Sequence, residues 1–229
     1  YNGDKKYKEL ITINLEAGNK VRNPFSLHSM ESYLEDHKIN GNVVVPGAST
    51  IMEIKNNMEA ILPSSIDYME NIMFDAMIQD EHGIFFDVVK ENHSYHYEIV
   101  SNDKRFSAGE IVVNESVGFS QESYKDCNQI KRNYEKRLSN GEIYEQFQKR
   151  GIQYGRSFKN ITECYLDYDK ALSYLCLPEE QKSIERSGNS ALIIDSALQT
   201  ASLIHMNNNK NSVHSLIVPL SIKKLSFIQ

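Results

Sequence analysis

Two residues of this chain have the chemistry for proton transfer, and they lie far apart in the sequence. His37 opens the run HKINGNVVVPGA (residues 37–48), in which His37, Gly41 and Pro46 are spaced HxxxGxxxxP and Gly47 and Ala48 follow. Val43 to Val45 is β-branched and reads as strand. Pro46 and Gly47 break it, and a helical period begins at Ala48. A helix N-terminus presents unpaired N–H groups and a partial positive charge, and a glycine there lets a ligand oxygen approach the backbone closely. A neutral imidazole beside such donors can take a proton α to a carbonyl while they stabilise the enolate-like oxygen. The plainer alternative is a surface histidine in a turn before an ordinary Pro-Gly helix start.

The second residue is Asp195, in SALIIDSALQTASLI (190–204). Leu192, Ile193, Ile194, Ala197 and Leu198 surround it with apolar surface, and Gln199 lies four residues on, on the same helix face. A carboxyl placed there is desolvated, which favours its neutral form. A carboxylic acid held protonated near neutral pH can donate a proton, and the Gln199 amide could hold it in place. The alternative is a polar stripe facing solvent, continued by Ser196 and Thr200. A third element, GIQYGRSF (151–158), brackets Tyr154 between two glycines and points to a tight turn presenting a phenol. In a chain with 13 tyrosines, a core or rim tyrosine is the ordinary reading of that element alone.

The elements that must carry these residues can be read from the hydrophobic pattern. Residues 8–15 alternate loosely and read as strand, and an Asn-, Gly- and Pro-containing loop follows. Ile51, Met52, Met58, Ile61 and Leu62 can share one broad apolar face of a helix from Ala48 to Pro63. Residues 83–90, 94–101 and 105–113 are strand-like with polar turns between them, an antiparallel meander. Residues 114–138 lose the pattern. The order then resembles the first half: a short helix (141–150), GIQYGRSF, strands near 159–167 and 171–177, a long apolar helix near 190–206, and a strand-like SLIVPLSIKKLSFI. The expected organisation is a half over 1–116 with His37, a linker over 117–138, and a half over 139–229 with Asp195. The last segment ends on Gln229 without partner strands, so the second half is expected to be truncated.

Composition narrows the class. Hydrophobic residues make up 40% of 229 residues, enough for a packed core. The formal net charge of −6 argues against a nucleic-acid binder, which needs clustered basic residues to neutralise phosphates. The three cysteines, Cys127, Cys164 and Cys176, form no CxxC pair and read as buried thiols of a reducing compartment. No apolar run approaches the roughly 18 to 20 residues that span a bilayer, and the polar start is no signal peptide. The reading is cytoplasmic, with no membrane and no nucleic-acid partner.

Taken together and in this order, the three motifs resemble the polyketide synthase dehydratase family, over about Asn23 to Ile228. The family's HxxxGxxxxP motif is seen as His37, Gly41 and Pro46, its GYxYGPxF motif as GIQYGRSF, and its DxxxQ motif as Asp195 and Gln199; VPLSIKKLSF resembles its proline-containing strand. The resemblance implies an α+β double hotdog fold, two curved antiparallel sheets each wrapped around a long helix. It implies His37 as base, Asp195 as acid, Gln199 as the group orienting the acid, Tyr154 near the substrate, and the Gly47 N–H as donor to a thioester carbonyl. The implied reaction is loss of water from a 3-hydroxyacyl chain. That chain would be carried on the phosphopantetheine of an acyl carrier protein, with no metal or redox cofactor bound by the domain. The implied partners are that carrier protein and neighbouring synthase domains, with homodimerisation left open. Lys149, Arg150, Arg156 and Lys159 cluster around GIQYGRSF and are candidates for a rim that attracts an acidic carrier.

The chain departs from the family pattern at Ile152 and Arg156, where the motif has tyrosine and proline, and at Ser190 and Ala191, where it has His-Pro. None of these removes a proton carrier. The rival readings are a relative that shifts a double bond or closes a pyran ring, a non-catalytic assembly domain, and a hotdog thioesterase.

Overall fold

The computed structural model describes residues 18–26, 31–62, 65–79, 83–102, 104–113, 131–132, 134–177, 191–209 and 215–227. The strand expected over 8–15, most of the expected linker, Cys127 and Ser190 lie outside these. The first half runs β1 (Lys20–Pro24), α1 (Glu31–Leu34), β2 (His37–Ile39), β3 (Asn42–Val43), α2 (Gly47–Ile61), β4 (Ile66–Phe74), β5 (Phe85–Glu91), β6 (Ser94–Ser101) and β7 (Lys104–Val113). The second runs β8 (Lys136–Ser139), α3 (Asn140–Gln148), β9 (Ile152–Tyr154), a 3₁₀ turn (Arg156–Phe158), β10 (Ile161–Leu166), β11 (Ala171–Leu175), α4 (Ala191–Asn208) and β12 (Ser221–Ser226).

Helix α2 forms where the apolar period demands it. Ile51, Ile54, Met58 and Ile61 recur at three- and four-residue steps and are buried as one stripe. Burying each contributes about 1.5–3 kcal/mol. Pro46 caps the start in an extended conformation, and its carbonyl accepts from both the N–H and the hydroxyl of Thr50. Leu62 ends the helix, extended as a residue before proline must be. The stripe packs on one face of a six-stranded antiparallel sheet ordered β1-β5-β6-β7-β4-β12. Within it β6 alternates as a half-buried strand does, with Tyr95, Tyr97 and Ile99 in the core.

The second half gathers its own core from Leu138, Ile143, Phe147, Ile161, Cys164 and Leu203. Here α4 packs on the three-stranded sheet β11-β10-β8. Helix α3 starts at a capping box: the Glu142 carboxylate accepts from the Ser139 backbone N–H at 2.8 Å and from its hydroxyl at 2.6 Å. The result is the α+β double hotdog architecture, a long helix against an antiparallel sheet in each half.

Several elements differ from the sequence reading. Strand β4 is an interior strand of the larger sheet, beside the edge strand β12, but its two-residue period is broken. Asn71 adopts a positive φ of 52°, and the pairing with β7 shifts register between Glu70 and Met73. Strand β1 forms in the stretch read as loop, where Arg22 and Lys20 pair with the buried Asp87 of β5. Residues 136–138, assigned to the linker, pair with β10 as most of β8. Strand β12, assigned to the second half, pairs antiparallel with β4 and so completes the sheet of the first. Cys164 is buried as expected, but Cys176 is exposed. Among the described residues no helix is long and apolar enough to cross a membrane.

Candidate active site

Among the described residues the halves meet near the motifs. Helices α2 and α4 pack on one another, β12 pairs with β4, and β2 pairs antiparallel with β9. Between them lies a cavity of about 300 Å³ lined by His37, Gly47, Tyr154, Asp195 and Gln199, with apolar walls that include Phe106 and Leu198. Five of the seven sequence-selected residues thus line one space. Gly41 and Pro46 do not line it.

Gly41 acts at a distance from the cavity. Asn40 and Gly41 have φ of 51° and 84° between β2 and β3, the two-residue left-handed turn that glycine permits and other residues resist. The turn folds Val44 back against His37. The Val44 N–H donates to the His37 carbonyl at 3.1 Å, and His37 Nδ1 lies 2.8 Å from the Val44 carbonyl. A carbonyl oxygen only accepts, so Nδ1 carries the hydrogen. In the neutral ring, Nε2 then keeps its lone pair. The ring is 7% exposed, with the Phe158 and Tyr154 rings at 5.2 and 5.5 Å. Pro46 is buried as the cap of α2, and Gly47 is the first residue of that helix, where the amide has no partner within the helix.

Asp195 lies on α4 and is 5% exposed. Burial raises its carboxyl above the usual range, opposed by the charge of His37 and by the hydrogen bond from Gln199. Gln199 Nε2 donates to Asp195 Oδ2 at 2.7 Å and to the Phe158 carbonyl at 3.0 Å. Ser196 is buried beside them, its hydroxyl donating to the Leu192 carbonyl at 2.8 Å. Tyr154 ends β9, and desolvation pushes its phenol well above the ordinary value, with Asp195 and Tyr144 acting in the same direction.

Two neighbours of the site escaped the sequence reading. Tyr144 of α3 hydrogen-bonds Gln199 Oε1 at 3.2 Å. The signal was present: Ile143, Tyr144 and Phe147 form the buried face of α3, and a buried phenol needs a partner. Asp36, adjacent to His37, accepts the Ser157 N–H at 2.9 Å on its carboxylate and the Gly155 N–H at 2.6 Å on its carbonyl.

The expected basic rim is smaller than the sequence indicated. Arg150 is 7% exposed, and its Nη1 donates to the Gln146 carbonyl at 3.0 Å. Packing at the end of α3 withdraws it from the surface. Lys149, Arg156 and Lys159 are exposed, with Lys149 paired to Glu145 at 2.6 Å.

Residues 125–229 match the family model of the polyketide synthase dehydratase N-terminal domain. Solved structures with similar folds include three dehydratase domains. The one from the CurF module of curacin polyketide synthase is 18% identical, with a TM-score of 0.75 over 94% of this chain and 81% of that one. A trans-AT polyketide synthase dehydratase from Brevibacillus brevis is 22% identical, with a TM-score of 0.73 over 91% and 76%. The CurK dehydratase with a histidine replaced by phenylalanine is 21% identical, with a TM-score of 0.74 over 93% and 78%. A search of curated proteins found no match. The chain therefore shares the double hotdog fold of these dehydratase domains, and its residues 125–229 match the polyketide synthase dehydratase family model.

Proposed function

We propose that this domain removes water from a 3-hydroxyacyl thioester, held on the phosphopantetheine arm of an acyl carrier protein, and leaves the 2,3-enoyl thioester. His37 Nε2 takes the proton from C2. The bond between C3 and its hydroxyl breaks as Asp195 protonates that oxygen, and water departs. The Gly47 N–H, at the positive end of α2, donates to the thioester carbonyl while it carries enolate-like charge. Tyr154 borders the reacting carbons, and Gln199 orients the acid.

The observation that carries this reading is the shared cavity of His37 and Asp195, each prepared for its task. The hydrogen bond at Nδ1 leaves the base nitrogen of His37 free. Burial favours the protonated, donating form of Asp195. The two groups must act on adjacent carbons, so convergence on one space is what the chemistry requires. The CurK dehydratase is described as inactive with a histidine replaced by phenylalanine, and as inactive with an aspartate replaced by asparagine. The same two residue types face this cavity.

The test is incubation with a 3-hydroxyacyl carrier-protein thioester, read by mass spectrometry. Loss of one water supports the proposal. Release of the free acid would mean a thioesterase; with a 2,3-enoyl thioester as second substrate, isomerisation at unchanged mass while the 3-hydroxyacyl thioester stays intact would mean a double-bond-shifting or pyran-forming relative. An untouched substrate would leave an assembly role.

A further inference from the structure

Gln199 is held by more than Asp195. Its amide has two hydrogens, and both point at oxygens that only accept in these bonds: Asp195 Oδ2 at 2.7 Å and the Phe158 carbonyl at 3.0 Å. Its own oxygen lies 3.2 Å from the Tyr144 hydroxyl. That hydroxyl accepts the Ile161 N–H at 3.0 Å, so its single hydrogen must serve an acceptor. Two are within reach, Gln199 Oε1 and the Phe158 carbonyl at 3.1 Å. Turning the amide over would set its oxygen against two acceptors. The cluster is buried: Tyr144 is 6% exposed and Gln199 2%. An unmade hydrogen bond there is expensive.

We propose that Tyr144 is a positioning residue for the acid, acting through Gln199. This rests on the dehydratase reading above. By holding Oε1, Tyr144 keeps the Gln199 N–H directed at Asp195 Oδ2. Oδ2 is then always an acceptor, and the transferable proton is confined to Oδ1. Without that hold, the amide keeps its bonds to Asp195 and Phe158 but can pivot about Nε2, so its N–H is aimed less closely at Oδ2 and the proton is less strictly confined to Oδ1. Asp195 itself would remain in place on α4.

The variant Tyr144→Phe keeps the ring that packs on Phe147 and Tyr154. With the carrier-bound substrate, kcat should fall about tenfold, less than the ~10²- to 10⁴-fold of a general acid or base itself, while KM stays near the parental value. The pH profile should move as well. Dehydration needs Asp195 protonated, so kcat is lost as pH rises through its ionisation. The Gln199 hydrogen bond favours the carboxylate. Loosening it should shift the high-pH limb of kcat upward even as kcat falls. In a Gln199→Ala background, the added Tyr144→Phe change should have little further effect. An equal loss in both backgrounds, or parental kcat in the single variant, would overturn the proposal. The wild-type domain gives a second measurement that needs no variant to fold. The Gln199 side-chain amide hydrogens should be resolved by NMR and slow to exchange in deuterated water; exchange as fast as that of exposed glutamines would overturn the proposal. A wild-type protein that leaves the hydroxyacyl thioester untouched, while Tyr144→Phe speeds exchange of the Gln199 amide, would sink the dehydratase reading and leave the Tyr144–Gln199 hold in place.

Discussion

His37 and Tyr154 stand directly opposite one another in the antiparallel pairing of β2 with β9. Their rings lie 5.5 Å apart. The strand pair, three residues on each side, joins the first motif to the third across the two halves. It also brings the residues after Tyr154 back over Asp36, and Phe158 against the imidazole.

That contact gives a prediction about Gly155. A Cβ on this residue would collide with the Asp36 carboxylate, which accepts the Ser157 N–H. Gly155→Ala should destabilise the domain by about 1–3 kcal/mol, as overpacking does, and lower its activity. Asp36→Ala in the same chain should restore part of the stability by removing the obstacle. Denaturant unfolding of the single and double variants checks both. A Gly155→Ala protein as stable as the parent would mean that the segment simply shifts.

A second prediction separates the two proposed proton carriers. Asp195→Asn keeps the shape of the side chain but removes its transferable proton. Dehydration should slow by about 10²- to 10⁴-fold, the range for general acid–base catalysis. The variant should still exchange a C2 proton of bound thioester in deuterated water, because His37 remains. His37→Ala should lose both activities. Mass spectrometry on one carrier-bound substrate reads water loss and deuterium uptake together; near-parental dehydration by Asp195→Asn would remove Asp195 as the acid.

Two buried aspartates should respond to pH with opposite signs. Burial raises the Asp195 carboxyl. Its neutral form is favoured in the fold, and it costs stability progressively as pH rises from the ordinary value of 3.8 through the folded one. Asp195→Asn should therefore gain stability over the parent as pH increases. Asp87 is lowered, first by its hydrogen bond from Arg22, which closes as a bidentate pair at 2.7 Å, and then by Lys20, against the effect of burial. Its stabilising effect is present above 3.8 and lost as pH falls through the folded value. Asp87→Asn should thus lie closest to the parent in acid, fall behind as pH rises through the folded value to 3.8, and trail by a constant amount above it. Thermal unfolding from about pH 2 to 8 reads both trends; a variant parallel to the parent above 3.8 would refute the Asp195 assignment, and one parallel to it below 3.8 the Asp87 assignment.

The exposed cations beside Tyr154 give a prediction about partners. Charge reversal at Arg156 and Lys159 should raise the apparent KM for a carrier-bound substrate and leave that for a small pantetheine thioester unchanged. Reversal at Arg150 should instead unfold or destabilise the domain, because its guanidinium is packed inside. Equal effects of Arg156 and Lys159 on both substrates would remove the docking role.

Local chemistry made a good part of this protein readable from sequence. The apolar period of α2, the alternation of β6, and the apolar run around Asp195 are written in neighbouring residues, because helices and half-buried strands answer to spacing within a few positions. Motif spacing likewise singled out His37, Asp195, Gln199, Tyr154 and Gly47, which line one cavity. Other features depended on partners distant in the chain. Strand β4 carries a bulge that breaks its period, so its interior place follows from its neighbours β7 and β12. Arg150 reads as a surface charge until α3 packs around it. Tyr144 and Asp36 have no motif of their own, and their roles come from Gln199 and Ser157 on other segments. Residue types and spacing thus select the proposed proton carriers. Their tautomer, desolvation and orientation arise only when the fold excludes water and brings separate segments within hydrogen-bond distance.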